Sequence, residues 1–296
     1  MSHSLYKSKS DRIVDAGIYA LLGIFGFLTL FPLYYVFIVS ITPYSEVLRN
    51  GGFIILPSSL TLEAFQAIFS SRTVPQALKI TIFITLVGTF LNLAVTTLLA
   101  YPLSKKFIPG RNVVLIVIVF TMLFSGGLIP LYLVVRATGL MNTVWALIIP
   151  GLVSTFNMLI MKTYFENLPA EVEEAAKVDG CGDVGTLFRI VLPLSAPIMA
   201  TIGLFYGVGH WNAYFQGIMY LNDKALYPIQ VVLRNMIQTP NVSQELAISN
   251  PMLLQTLPPE TIKMATVVVA IIPVLVIYPF LQRYFVKGML LGSIKG

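Results

Sequence analysis

The feature that most limits what this chain can fold into is a set of long stretches with no acidic or basic side chain. Between Asp15 and Glu46 there is no Asp, Glu, Lys or Arg, and the same holds for Ile80–Leu103, Asn112–Val135, Val144–Met161, Ile190–Tyr220 and Met264–Gln282. About 20 apolar residues let a helix cross the hydrocarbon core of a bilayer. Inside that core each backbone N–H and C=O must be satisfied by the element itself or by a closed barrel. The chain is therefore expected to be an all-α membrane protein with six transmembrane helices, near Ala16–Ser45, Gln76–Leu103, Asn112–Val135, Val144–Met161, Ile190–Tyr220 and Met264–Gln282. The first run is too long for the apolar core of a signal peptide and lacks a small-x-small cleavage site. It reads as a retained span, bent or loosened near Pro32. Composition agrees: 56% of the residues are hydrophobic and 11% charged, against roughly 25% charged in a soluble domain.

Six spans put both termini on one side, and basic residues choose which. With the termini inside, the inner segments hold Lys7, Lys9, Arg12, Lys105, Lys106, Arg111, Lys162, Lys177, Arg189, Arg283, Lys287 and Lys295. The outer side keeps Arg49, Arg72, Lys79, Arg136, Lys224, Arg234 and Lys263. Both termini are thus expected in the cytoplasm of a bacterial cell, and the net charge of +6 reports topology and contact with membrane lipid rather than nucleic-acid binding. Residues 43–76 read as an extracytoplasmic loop with a short surface helix around Thr61–Phe65. Residues 221–262, with Pro228, Pro240, Pro251, Pro258 and Pro259, read as the longest loop.

Several function classes lose ground at once. A charged residue at mid-bilayer costs about 2.5–3.5 kcal/mol on insertion scales and usually serves function; none of the runs contains one, which argues against a transporter driven by proton or sodium binding. The chain has no G-x-x-x-x-G-K-[ST], H-E-x-x-H or G-x-S-x-G pattern, so it offers neither its own nucleotide site nor a hydrolase site. One cysteine and two histidines supply no disulfide and no metal framework. No catalytic residue, bound metal or cofactor is expected, and the energy for any active transport must come from another polypeptide.

The one long charged interruption in the second half is Glu171–Pro197, EVEEAAKVDGCGDVGTLFRIVLPLSAP. Pro169 suits the first helical position, where its missing N–H costs nothing. Glu171, Glu173 and Glu174 crowd the positive end of the helix. Val172, Ala175 and Ala176 share one small face that a partner backbone could approach. Asp179-Gly180 supplies a stop, with the glycine free to adopt a left-handed conformation, and Asp183 is a good N-cap for a second short helix.

Glu174-Ala175-Ala176, Asp179-Gly180, Phe188, Ile190, Leu192-Pro193-Leu194 and Pro197 together resemble the EAA loop of ABC-importer permeases, with Cys181 where that pattern usually has a third small residue. Trp211-Asn212, about 30 residues past the glycine, and Gln282–Gly288 with Lys295-Gly296 resemble the carbohydrate-uptake branch, nearest to permeases of the lipoprotein, alginate and pectin-fragment type. The resemblance spans essentially the whole chain. It implies a type I ABC importer transmembrane domain in which Glu174, Ala175, Ala176, Asp179 and Gly180 couple to an ATPase. It also implies a second homologous permease subunit, two cytoplasmic ABC ATPase subunits carrying ATP and magnesium, and an extracytoplasmic solute-binding protein meeting loop 221–262. The implied organisation is a tail, first span and loop (1–74), a permease core (75–282) and a cytoplasmic tail (283–296). Neutral polar and aromatic residues that could line a sugar pathway are Asn92, Asn157, His210, Trp211, Asn212, Tyr214 and Gln216, although buried amides also join helices. A permease for another small solute and an ATP-independent secondary transporter are the alternatives.

Overall fold

The computed structural model describes residues 9–238 and 259–293, and all described elements are helical. Pro240, Pro251 and Pro258 of the expected long loop, and the final Lys295-Gly296, lie outside the described residues. The described chain falls into two units: residues up to Ser71 with the start of the last helix to Val269, and Arg72–Gln238 with the remainder from Ala270.

In the first unit, α1 (Lys9–Ser40) continues as one helix through Pro32. Most of its apolar side chains lie open, among them Leu21, Phe25, Phe27 and Leu30, while Ile38 and Val39 near its end are buried, as suits a helix whose solvent is lipid. The short helices α2 (Tyr44–Arg49) and α3 (Glu63–Ser70) follow. The loop between them is pinned to the end of α1: Tyr35 donates to the Gly52 carbonyl at 2.5 Å and stacks on Phe53, and Tyr34 donates to the Ile55 carbonyl at 2.5 Å. Glu46 accepts from the backbone N–H groups of Ser58 and Ser59, which hold its carboxyl below the usual glutamate range.

The second unit is built on α4 (Thr73–Ser104), the longest unbroken helix in it. Three of the expected spans are not single helices. The third is α5 (Arg111–Leu123) and α6 (Leu128–Ala137), bent by 112° at a break where Gly127 takes φ +86°. The fourth begins as two 3-10 turns, Val144–Leu147 and Ile149–Gly151, and continues at 51° as α7 (Thr155–Glu166). The fifth starts in α9 (Asp183–Thr186), after α8 (Ala170–Val178). It passes through a π-helical turn at Leu187–Val191 and α10 (Leu192–Leu194), then turns 82° into α11 (Ala196–Trp211). The three unbroken helices Ile13–Ser40, Thr73–Ser104 and Glu260–Pro279, with the three bent pairs counted singly, make up to six apolar spans among the described residues. The last helix, α14 (Pro259–Ser293), continues well past the expected end at Gln282.

Residues 229–238 were expected within a proline-rich loop. They form α13 (Ile229–Gln238), which follows α12 (Phe215–Tyr220), and Ile229, Val232, Leu233 and Met236 are buried. These residues stand at i, i+3, i+4 and i+7, one face of a helix. Ile229 is further tied to α4, its N–H donating to Thr81 Oγ1 at 2.8 Å.

α4 packs most extensively on α11 and α7. The seam with α11 is close because it is lined by glycine. A Cβ at Gly88 would stand 2.5 Å from His210 Nε2, and one at Gly203 would stand 3.3 Å from Leu93 Cδ1. Small residues serve the same end at membrane helix interfaces generally, where van der Waals contact replaces the hydrophobic effect between helices.

Candidate functional site

Glu171–Pro197 forms the polar element that the sequence singles out. Pro169 is the N-cap and Ala170 the first helical residue of α8, one position later than expected. Glu171 and Glu173 sit in the first turn; Glu174 lies beyond it. The helix ends in a Schellman motif. Gly180 takes φ +80°, its N–H donates to the Lys177 carbonyl at 3.0 Å, and the Cys181 N–H donates to the Ala176 carbonyl at 2.9 Å. Glycine reaches that conformation without strain, and the two bonds satisfy carbonyls that would otherwise be orphaned. Asp183 is the first residue of α9 rather than its cap; Gly182 takes the cap position with no side-chain bond.

The small face of α8 does not point outward as a block. Ala176 is turned into the protein, 2% exposed, while Ala175 is open and Val172 half-buried. The exposed stripe is Glu171, Glu174, Ala175, Val178 and Asp179, the i, i+3, i+4, i+7, i+8 rows of one helix face. Gly180 is also open. Val178, 87% exposed, and Val184, 72% exposed, add apolar surface beside the carboxylates. Beneath it α8 rests on α9 and the π-helical turn, whose Leu187 and Val191 are buried with Met158, Met161 and Phe165 of α7. Extra-residue turns of this kind recur at functional positions in helices.

Ion pairs tie the neighbouring helix ends together. Arg111, the first residue of α5, pairs with Glu166 at the end of α7, and its Nε donates to the Leu103 carbonyl near the end of α4 at 2.7 Å. Glu166 also takes Lys162 at 2.7 Å. Lys105, the C-cap of α4, pairs with Glu173 of α8, and its Nζ lies 4.5 Å from the centroid of the Tyr101 ring. The Arg111–Glu166 and Lys105–Glu173 partners lie far apart in the chain and no spacing marks them, whereas Lys162 and Glu166 stand at i,i+4 on α7.

The candidate pathway residues divide into two groups. Asn92, Asn157, His210 and Trp211 are buried; Asn212, Tyr214 and Gln216 are exposed. Asn92 donates to the carbonyls of Gly151 and Leu152, both at 2.8 Å, and its Oδ1 lies 2.6 Å from His210 Nε2. Two carbonyl partners fix the amide nitrogen on their side, so Oδ1 must accept and His210 carries its proton on Nε2. Tyr206 OH accepts from the Ser154 N–H at 2.9 Å and pairs with Thr96 Oγ1 at 2.8 Å. Side chains of α4 and α11 thus satisfy the backbone groups freed at the break in the fourth span, the condition on which such a break is tolerated at membrane depth. Trp211 donates from Nε1 to the Ala270 carbonyl at 3.1 Å. Asn157 donates its N–H to Ser154 Oγ at 3.4 Å. Asn212 donates to the Val208 carbonyl at 2.9 Å and accepts from Gln230 at 3.4 Å. Sequence reading missed Thr85 and Thr89 of α4, whose hydroxyl oxygens are buried and have no hydrogen-bond partner among the described residues.

Up to six apolar spans, interrupted by one polar element that shows a carboxylate-rich, glycine-terminated face, define a multi-span membrane transport component. The chain belongs to the family of binding-protein-dependent transport system inner membrane components, whose sequence model matches residues 93–291. It is 44% identical over 295 residues to Protein LplC of Bacillus subtilis, covering 99% of each chain. It is also 44% identical to the polygalacturonan/rhamnogalacturonan transport system permease protein YtcP of the same organism, covering 97% of this chain and 99% of that one. Among solved structures it is similar to a chain of a bacterial ABC transporter involved in the import of the acidic polysaccharide alginate. That match has a TM-score of 0.89 and 35% identity, and covers 95% of this chain and 100% of that chain. The fold is that of a type I importer transmembrane domain.

Proposed function

We propose that this chain is one of two permease subunits of an ATP-driven importer for a saccharide, an oligosaccharide or a fragment of a polysaccharide. The relatives support the substrate class, since YtcP and the alginate importer are both described as carriers of polysaccharides. In this reading two cytoplasmic ATPase subunits bind and hydrolyse ATP, an extracytoplasmic binding protein delivers the sugar, and residues 75–282 form the moving core. Both termini are cytoplasmic, in keeping with the distribution of basic residues. The element 171–190 carries the motion of the ATPases into the spans. Glu174, Ala175, Asp179 and Gly180 meet the ATPase, and Ala176 anchors the helix from within.

The observation that carries this reading is the exposed stripe on α8, held in place from below by buried Ala176 and terminated by the Schellman bonds of Gly180 and Cys181. The carboxylates of Glu171, Glu174 and Asp179 are exposed and make no side-chain hydrogen bond or ion pair among the described residues. Glu174→Lys reverses the charge there. Gly180→Pro forbids φ +80° and removes the N–H that bonds Lys177. Both variants should reach the membrane in normal amount, and complexes carrying either should lose ATP-driven uptake in vesicles. Normal uptake by Glu174→Lys would remove the docking role.

A further inference from the structure

Among the described residues one ion pair joins α8 to the end of the long helix α4. Lys105 ends α4, and its ammonium pairs with the Glu173 carboxylate on α8; the two side chains are only 17% and 18% exposed. The same ammonium stands over Tyr101, one turn back on α4, whose ring meets Phe165 of α7 edge-on at 6.1 Å. Beside the pair lies an open cavity of about 240 Å³, bounded by Leu98, Tyr101, Pro102, Phe107, Val184 and Leu187. The apolar surfaces of α4 and of the α8–α9 element are therefore incompletely packed against each other here. Across a gap in packing apolar contacts pass on little displacement, since contact is lost outright there, whereas a half-buried ion pair is screened less than an exposed one and still links the two helices.

From α4 the path continues through the most extensive packing in the unit. α4 seats on α7 and α11, and its Asn92 reaches both His210 of α11 and the carbonyls at the break in the fourth span. A displacement of the inner end of α4 thus bears on three spans together.

We propose that Lys105 and Glu173 are positioning residues that act as a strut, passing the displacement of α8 to α4 and so to the α4–α11 seam. The proposal rests on the reading of α8 as the ATPase contact. Four variants test it: Lys105→Glu, Glu173→Lys, the double exchange, and Glu173→Gln, which keeps the side chain's length if a reversal fails to fold. Each is placed in the complete complex with its second permease subunit and ATPases. Amide exchange is measured in lipid with and without ATP and vanadate, which traps the ATPases closed and requires no knowledge of the sugar.

In the unaltered complex, trapping should change exchange in Ala170–Val178 and in the α4–α11 seam. In the single variants the change in α8 should persist and that in the seam be lost, with a smaller loss for Glu173→Gln. The double exchange should restore it. The strut is refuted if the seam responds normally in the single variants, if the exchange restores nothing, or if the unaltered complex responds in α8 alone. An unaltered complex in which α8 itself does not respond refutes the ATPase contact instead, and the strut with it.

Discussion

His210 Nε2 lies 2.6 Å from Asn92 Oδ1, and the same asparagine holds the carbonyls of Gly151 and Leu152 at 2.8 Å each. One side chain on α4 therefore joins α11 and the interrupted fourth span. A single interhelical hydrogen bond in a membrane protein contributes about 0.6 kcal/mol on average and at most about 1.7. Asn92→Ala breaks three and leaves the Gly151 and Leu152 carbonyls and His210 Nε2 without that partner. It should lower stability by about 2 kcal/mol, more than His210→Ala apart from the cavity each leaves. Thermal unfolding of the purified protein in detergent checks the order of the two.

The glycine seam makes a sharper comparison. A Cβ at Gly88 falls 2.5 Å from His210 Nε2 and 2.8 Å from its Cδ2 and Cε1, whereas at Gly203 the nearest atom is the movable Leu93 Cδ1 at 3.3 Å. Gly88→Ala must push the imidazole off Asn92 and should destabilise by about 1–3 kcal/mol. Gly203→Ala should be nearly neutral. The same melting experiment separates them, and equal effects would mean that the seam adjusts more freely than its packing suggests.

Glu46 gives the pH dependence outside the spans. Its carboxyl is held low chiefly by the Ser58 N–H, with Ser58 and Ser59 adding further bonds. Because the folded value lies below the unfolded one, this contribution is fully present above the unfolded pKa. It is lost as pH falls through the depressed folded value. Amide exchange at Ser58 and Ser59 should therefore lose protection on acidification through that window. In Glu46→Gln protection should be weaker at neutral pH and should no longer change with pH.

Glu166 receives two cations, Arg111 and Lys162, from α5 and α7. Glu166→Ala leaves both cations unpaired, while Lys162→Ala leaves the Arg111 pair and its bond to the Leu103 carbonyl intact. Lys162→Ala removes one of the two ion pairs of Glu166, and Glu166→Ala removes both. Glu166→Ala should therefore lower the midpoint of unfolding more than Lys162→Ala does.

The apolar helices were legible because a run without charge leaves a chain few other choices in lipid. Their interruptions were not. Gly127, Ser154 and Ser195 stand inside runs as apolar as any other, and what permits the break at Ser154 is Asn92 and Tyr206, distant in sequence. Helix α13 was readable but misjudged: the prolines on either side suggested a loop, while the spacing Ile229, Val232, Leu233, Met236 already described a buried helical face. At the polar element, the glycine stop followed from Asp179-Gly180. The inward turn of Ala176 did not, because adjacent alanines carry no mark of which one a neighbour will cover. The Lys105–Glu173 pair joins residues that no short-range pattern connects.

In the proposed importer a separate ATPase grips the open face of α8. A photo-reactive amino acid placed at Val178, 87% exposed, and in a second preparation at buried Thr186, tests it within the intact complex in its membrane. Position 178 should cross-link to the ATPase subunit and position 186 should not. A cross-link from 178 to the extracytoplasmic binding protein, or no cross-link to the ATPase in a complex that transports sugar, would contradict it.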